Sequence, residues 1–242
     1  MLSSGSGLPR NLCLLLLLLF CLPALCDEGE ALRTLLKAPL VAETGNYASA
    51  EHKARLRATL IANPKLANQP IFQLQGQQPS TPLVEAAKTG NVDAVRLLLE
   101  FKARPNLALG DRPVPPLQAC IASRTHPNAR LAVIRLLLGA GASPKFGLHQ
   151  WAACLNWTDR QTYFAAADAL VEAKAALNIA DETGSSPLQI AIVNDNVSAV
   201  EKLLALGAVV DASSKESALA GAGTSEGDKI LKLLKLTPRP KP

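Results

Sequence analysis

Cysteine and histidine are the residues from which this chain could build chemistry, and they are few. Five cysteines and three histidines are spread over 242 residues. His149 and Cys154 stand five apart, which puts both roughly on one face of a helix, and Cys120 could join them. Such a set could hold a metal or run thiol chemistry, yet no compact C-x-x-C or H-E-x-x-H spacing accompanies it. A nucleophile needs a base and an orienting group beside it. His52 sits among charged residues and His126 in a polar stretch, so neither suggests such a set. Gly139, Gly141 and Gly147 read as helix-end and turn glycines, not as a phosphate loop. The expectation is no catalytic residue, no metal and no cofactor. Thiol redox at Cys120 or Cys154 is the enzymatic alternative, and it requires an exposed thiol of low pKa. A disulfide between these two cysteines is equally open with their burial as small apolar residues, since pairing needs Cα atoms within about 7 Å. The sequons at Asn156 and Asn196 matter only in a host that glycosylates exported proteins.

The elements that would position these groups are short helices. Asn178 to Asp211 shows the pattern best: NIADETGSSPLQIAIVNDNVSAVEKLLALGAVVD. Asp181 to Gly184 supplies a tight turn, with Gly184 free to take a positive φ. Ser185-Ser186 offers a hydroxyl cap and Pro187 suits a first helical turn. Leu188, Ile190, Ala191 and Ile192 are the apolar part of that helix, and Asn194-Asp195-Asn196 breaks it. A second helix carries Val200, Leu203 and Leu204 on one face and ends at Gly207. A hairpin followed by two short helices cannot bury its own apolar face and needs copies on either side. The stretch closely resembles an ankyrin repeat, including the family's N-x-x-D-x-x-G-x-[ST]-P-L run at Asn178 to Leu188. That resemblance implies an all-α repeat solenoid of stacked helix-turn-helix units with hairpin loops. It also implies a protein-binding module, with His149 bracing the turn as the histidine after Leu does in the family.

Further copies follow the same phase. One opens at Thr81-Pro82-Leu83 and closes at Ala103, with Lys102 where glycine is usual. Others run from Pro116-Leu117 to Gly141-Ala142 and from Leu148-His149 to Ala175. A truncated fifth spans Ser217 to Leu234 and serves as a C-terminal cap. The closing alanines Ala103, Ala142, Ala175 and Ala208 are 39, 33 and 33 apart, around the ~33-residue ankyrin period. The domain reading is therefore about five repeats over 81–236, preceded by a helical cap and polar loop over 27–80. Helices are expected near 31–37 and 48–62, and 237–242 is a disordered Pro/Lys tail.

Two adjacent repeats are longer than the rest. From first-helix Leu to closing Ala is 20 residues for Leu83 and Leu188, but 25 for Leu117 and 27 for Leu148. The extra residues fall around Ser123 to Arg130 and Asn156 to Tyr163, between helices, and stacking would bring the two segments together. They hold Arg124, His126, Arg130, Trp157, Asp159, Arg160 and Tyr163, types enriched in binding hot spots. With Arg104, Arg112 and Lys145 at hairpin tips, these are the candidate partner-binding residues.

Composition sets the remaining bounds. With 48% hydrophobic but only 4% aromatic residues, the core must be Leu, Ala, Val and Ile, which suits close-packed helices. The formal charge is +5, but the basic residues are scattered, so nucleic acid is not an expected partner. Arg10, the apolar run Leu12 to Leu22, and Ala24 and Cys26 before Asp27 read as a signal peptide over 1–26. The run is shorter than the roughly 18 apolar residues a bilayer span needs. Cleavage leaves a charge of +4 and two cysteines, Cys120 and Cys154. Acylation of Cys26 is the alternative, giving an outer-membrane lipoprotein. The expected protein is a monomeric, non-enzymatic binding module, periplasmic or secreted and of the exported bacterial kind, whose partner is another protein. Among such functions, immunity is one: covering a secreted toxin or lipase, an acidic one if the charge steers the encounter. A structural or stress-related envelope scaffold is the other.

Overall fold

Short polar caps and prolines start the helices of this chain. The Thr81 and Ser186 hydroxyls accept from the N–H of Val84 and Gln189 (3.2 Å each), with Pro82 and Pro187 in the first turn. The computed structural model describes residues 28–71, 79–145, 147–155 and 157–237. The readings of 1–26 as a signal peptide and of the last residues as a tail fall outside them, as does Asn156.

Twelve α-helices are present among the described residues, and they come in pairs. The pairs are α1 Glu28–Leu36 with α2 Ala50–Ala62, α3 Pro82–Thr89 with α4 Val92–Glu100, and α5 Pro116–Ala122 with α6 Pro127–Gly139. They continue with α7 Gly147–Ala153 and α8 Arg160–Glu172, α9 Pro187–Val193 and α10 Val197–Ala205, and α11 Ala212–Ala220 and α12 Ser225–Leu233. A 3₁₀ turn spans Pro64–Asn68. No strand occurs among the described residues, only the isolated bridges Leu40 to Tyr47 and Ile71 to Ser80. None of the described helices is long and apolar enough to cross a membrane.

First helices pack on first helices and second on second, so α1, α3, α5, α7, α9 and α11 form one column and their partners the other. The result is an all-α solenoid. Its core runs continuously through both columns and is built largely of Leu, Ala, Val and Ile, with Ala86, Ala87, Ala94, Ala166 and Ala191 fully buried. Alanine at these contacts lets neighbouring helices approach closely. Asparagines stitch the connections. Asn68 donates to Lys102 O (3.0 Å) and accepts from Arg104 N (2.8 Å), and Asn106 does the same with Gly141 O (3.0 Å) and Ser143 N (2.7 Å). Asn178 accepts from Val209 N (2.9 Å). Gly141 and Gly207 close their helices at φ +86° and +93°, and Lys102 and Lys174 adopt the same left-handed conformation at +63° and +67°.

The extra residues of the two long repeats are not loop insertions throughout. Pro127–Arg130 and Arg160–Tyr163 are helical, so α6 and α8 run to 13 residues where α4 and α10 have 9. The sequence reading placed them between helices. Pro127 at N1 and the caps at His126 and Asp159 move the helix start forward instead.

Candidate partner-binding site

The column of first helices and the hairpins beside it enclose a two-basin groove. Its helical wall follows a simple register. The residues two and five after the first-helix Leu line it: Glu85 and Lys88 on α3, Ala119 and Ala122 on α5, Gln150 and Ala153 on α7, then Ile190 on α9. The first basin, about 740 Å³, lies between α3 and α5 under the hairpin residues Leu109, Arg112 and Val114. Lys88, Arg112 and Arg124 line it, all exposed and without an ion-pair partner among the described residues, facing the single carboxylate of Glu85. The second basin, about 560 Å³, runs along α7 from Gln118 to Ile190 and is bounded by Asp181, Glu182 and Thr183. Pro113 and Pro115 form its rim against the first.

Two groups hold the second basin in shape. His149 is buried, with Nε2 2.8 Å from Ile179 O, so it braces the hairpin as the resemblance implied. Asp181 Oδ1 accepts from Thr183 Oγ1 (2.6 Å), Thr183 N (2.8 Å) and Ser185 N (3.1 Å). The Thr183 hydroxyl above all keeps the Asp181 carboxyl below its usual range, so this hairpin stays anionic.

The residues of the two long repeats meet, but largely inside. Trp151 and Tyr163 stack at 4.3 Å and exchange hydrogen bonds, Trp151 Nε1 to Tyr163 O and Tyr163 Oη to Trp151 O, each 2.9 Å. Trp157 lies 5.5 Å from Tyr163, and the Arg130 guanidinium sits 4.2 Å above the Trp157 ring. Arg130 is 1% exposed and donates from Nη2 to Thr125 O (2.9 Å), and burial lowers its pKa. Tyr163 is buried as well, and that burial pushes its hydroxyl pKa up. As partner-contact candidates, Arg130 and Tyr163 are corrected: their surface is spent on joining the two repeats, and Trp157 is half-covered in the same joint. Asp159 caps α8 through Thr162 N (2.8 Å), and His126 Nδ1 caps α6 through Asn128 N (3.4 Å). Arg160 pairs with Glu201 and lies 4.9 Å over Phe164. Of the expected residues, only Arg112 and Arg124 line the groove; Arg104 and Lys145 are exposed on other connections.

The cysteines are free, buried thiols, which corrects the disulfide alternative. Cys120 Sγ donates to Arg130 O (3.5 Å) and Cys154 Sγ to Ile121 O (3.6 Å). Burial pushes Cys120 up to about 12 and also raises Cys154, so neither is a ready thiolate. No group of three or more His, Cys, Asp or Glu side chains among the described residues is placed to hold a metal. The Asn196 sequon is closed in the folded chain. Its Nδ2 donates to Ala152 O, Tyr163 Oη and Cys154 O at 3.0, 2.8 and 3.3 Å. The groove residues Glu85, Lys88, Gln118 and Gln150 escaped the sequence reading. Aligning the repeats on their first-helix Leu and reading two and five residues on would have found most of them.

Comparison with known proteins agrees with this architecture. The ankyrin repeat family model matches residues 80–108, which span α3 and α4. No curated protein matches the chain. Among solved structures, the ankyrin repeat domain of human ASB11 is similar, with a TM-score of 0.57 at 20% identity. The match covers 86% of this chain and 83% of that one. At that identity the likeness is one of fold.

Proposed function

We propose that this chain is an ankyrin-repeat protein-binding module and that it holds one protein partner in the groove along its first helices. The observation that carries this reading is the 740 Å³ basin, where Lys88, Arg112 and Arg124 stand around an alanine floor with no ion-pair partner among the described residues. Charged groups left without partners in a concave site favour a complementary surface. Binding rather than catalysis is the reading because the thiols are buried with raised pKa values and His149 is committed to a backbone carbonyl.

Within this class we place the protein outside the cytoplasm, as its leader pattern suggests, and assign it an inhibitory role. A rigid solenoid seated over the active-site entrance of a secreted effector blocks substrate by occupancy alone. A charge of +4 after cleavage speeds encounter with an acidic partner. The test is affinity capture from an extract of the source organism with the chain and with its Arg112→Glu/Arg124→Glu variant. One stoichiometric partner, retained by the first, lost by the second and inactive when bound, is the expected outcome. A partner held equally by both removes the groove from the mechanism, and one that stays active removes inhibition. Intact mass of the exported protein tests the rest: cleavage before Asp27 is expected, and lipid on Cys26 would favour the envelope-scaffold role.

A further inference from the structure

The two basins differ in sign. Lys88, Arg112 and Arg124 outnumber Glu85 in the first, whereas Asp181 and Glu182 bound the second, where no Lys or Arg is among the described lining residues. Both basins meet at the hairpin carrying Arg112 to Pro115, so one occupant can reach both. Between the charged ends the floor is Ala119, Ala122 and Ala153, flat enough for a backbone to lie close. Pro113 and Pro115 on the shared rim have no N–H, so this rim cannot register a bound strand through those backbone donors. Side-chain charge must set the register instead.

We infer that the groove takes an extended segment of a partner protein bearing an acidic side chain and, about five residues away, a basic one, with the acidic side chain between α3 and α5 and the basic one by the α7–α9 hairpin. This rests on the binding reading above. The separation follows from helix layers stacked about 8–10 Å apart, nearly two of which divide the basins, against about 3.3 Å per residue of extended chain. A segment laid in the opposite direction brings acid to Asp181 and base to Arg124, and like charges reject it. Nucleic acid meets the same repulsion at Asp181 and Glu182.

The probe is a phage-displayed library of random twelve-residue peptides selected on the full chain. Enriched peptides are expected to carry Asp or Glu and Lys or Arg four to six positions apart, in either order, since charge and not chain direction sets the register. Arg112→Glu with Arg124→Glu should weaken a selected peptide at least ~10-fold, and a peptide with its acidic residue changed to Lys should recover binding. Glu182→Lys should act likewise on the basic residue, with Asp181 left in place because its carboxylate shapes the hairpin. Arg112, Arg124 and Glu182 are exposed hairpin or loop positions, and unchanged circular dichroism checks the fold of each variant. Ala153→Trp, which fills the floor, separates the two ideas. Peptides blocked by Ala153→Trp but indifferent to charge reversal overturn the charge register and leave the groove as the binding site. Peptides indifferent to Ala153→Trp, or no enrichment at all, overturn both.

Discussion

The tight helix pairs α3/α4 and α9/α10 and the lengthened pairs α5/α6 and α7/α8 solve the same joint differently. In the tight pairs a buried asparagine closes the turn. Asn91 accepts from Ala94 N (2.9 Å) and Asn196 from Ala199 N (3.1 Å). The Asn196 amide also reaches back to three acceptors in the preceding repeat. In the lengthened pairs the caps are His126 and Asp159, both exposed, and neither reaches a neighbouring repeat. One extra helical turn carries the cap away from its neighbour, and the stack of Arg130, Trp157, Tyr163 and Trp151 takes over. Arg and aromatic residues therefore mark an internal desolvated joint here as readily as an external one. Both need large rigid surfaces with a polar handle.

The largest expected effect tests the asparagine joint. Asn196→Ala removes a cap and leaves buried acceptors without a donor, at a cost of about 3 kcal/mol in urea unfolding. Asn178→Ala, with one bond at an exposed site, should cost under about 1 kcal/mol, and equal losses would erase the distinction. Next, Trp157→Ala uncovers Arg130 and opens the aromatic stack, for about 2 kcal/mol. Arg130→Met keeps the volume and removes the buried charge, so it should stay within about 1 kcal/mol of the parent. A large loss there would mean that the guanidinium, rather than the packing, joins the repeats.

Two smaller effects sharpen the contrast. Gly90 and Gly207 both have positive φ, but a Cβ at Gly90 would meet Thr125 Cβ at 2.9 Å while Gly207 faces open space. Gly90→Ala should cost about 2 kcal/mol and Gly207→Ala about 1, read as a difference in melting midpoint. The caps also differ in their response to acid. Asp159 and Asp211 are held below the ordinary carboxylate range chiefly by the Thr162 and Ser214 N–H groups they cap. Their contribution is present above the unfolded value near 3.8 and lost as pH falls through the lower folded value. Hydrogen exchange below about pH 4 should show the starts of α8 and α11 fraying before those of α4 and α10, whose asparagine caps do not titrate. Asp159→Asn should remove the pH dependence at α8.

Much of the fold was legible because it is local. Thr81-Pro82-Leu83 and Ser186-Pro187-Leu188 start helices by their own hydroxyls, and the alanines at 103, 142, 175 and 208 mark the period. Gly184 and Gly207 take the positive φ their turns require. The tandem pattern itself dictates stacking, since no single pair can bury its apolar face. The candidate site was legible only in part. The sequence reading named Arg112 and Arg124, which line the groove, but Glu85, Lys88 and Gln150 reach it through a register visible only once repeats are superposed.

What the sequence by itself determined is therefore the repeat: helix starts, turns, period and an Ala/Leu core, each set by interactions within some 30 residues. Only the tertiary structure decided which polar and aromatic residues face inward. Arg130 lies beneath Trp157 because stacking brings two lengthened helices side by side, and burial of Tyr163 and both thiols follows from the same approach. The charge division of the groove is likewise a sum over α3, α5, α7 and the hairpin tips. It exists only when residues some 90 positions apart, such as Lys88 and Asp181, line neighbouring parts of one surface.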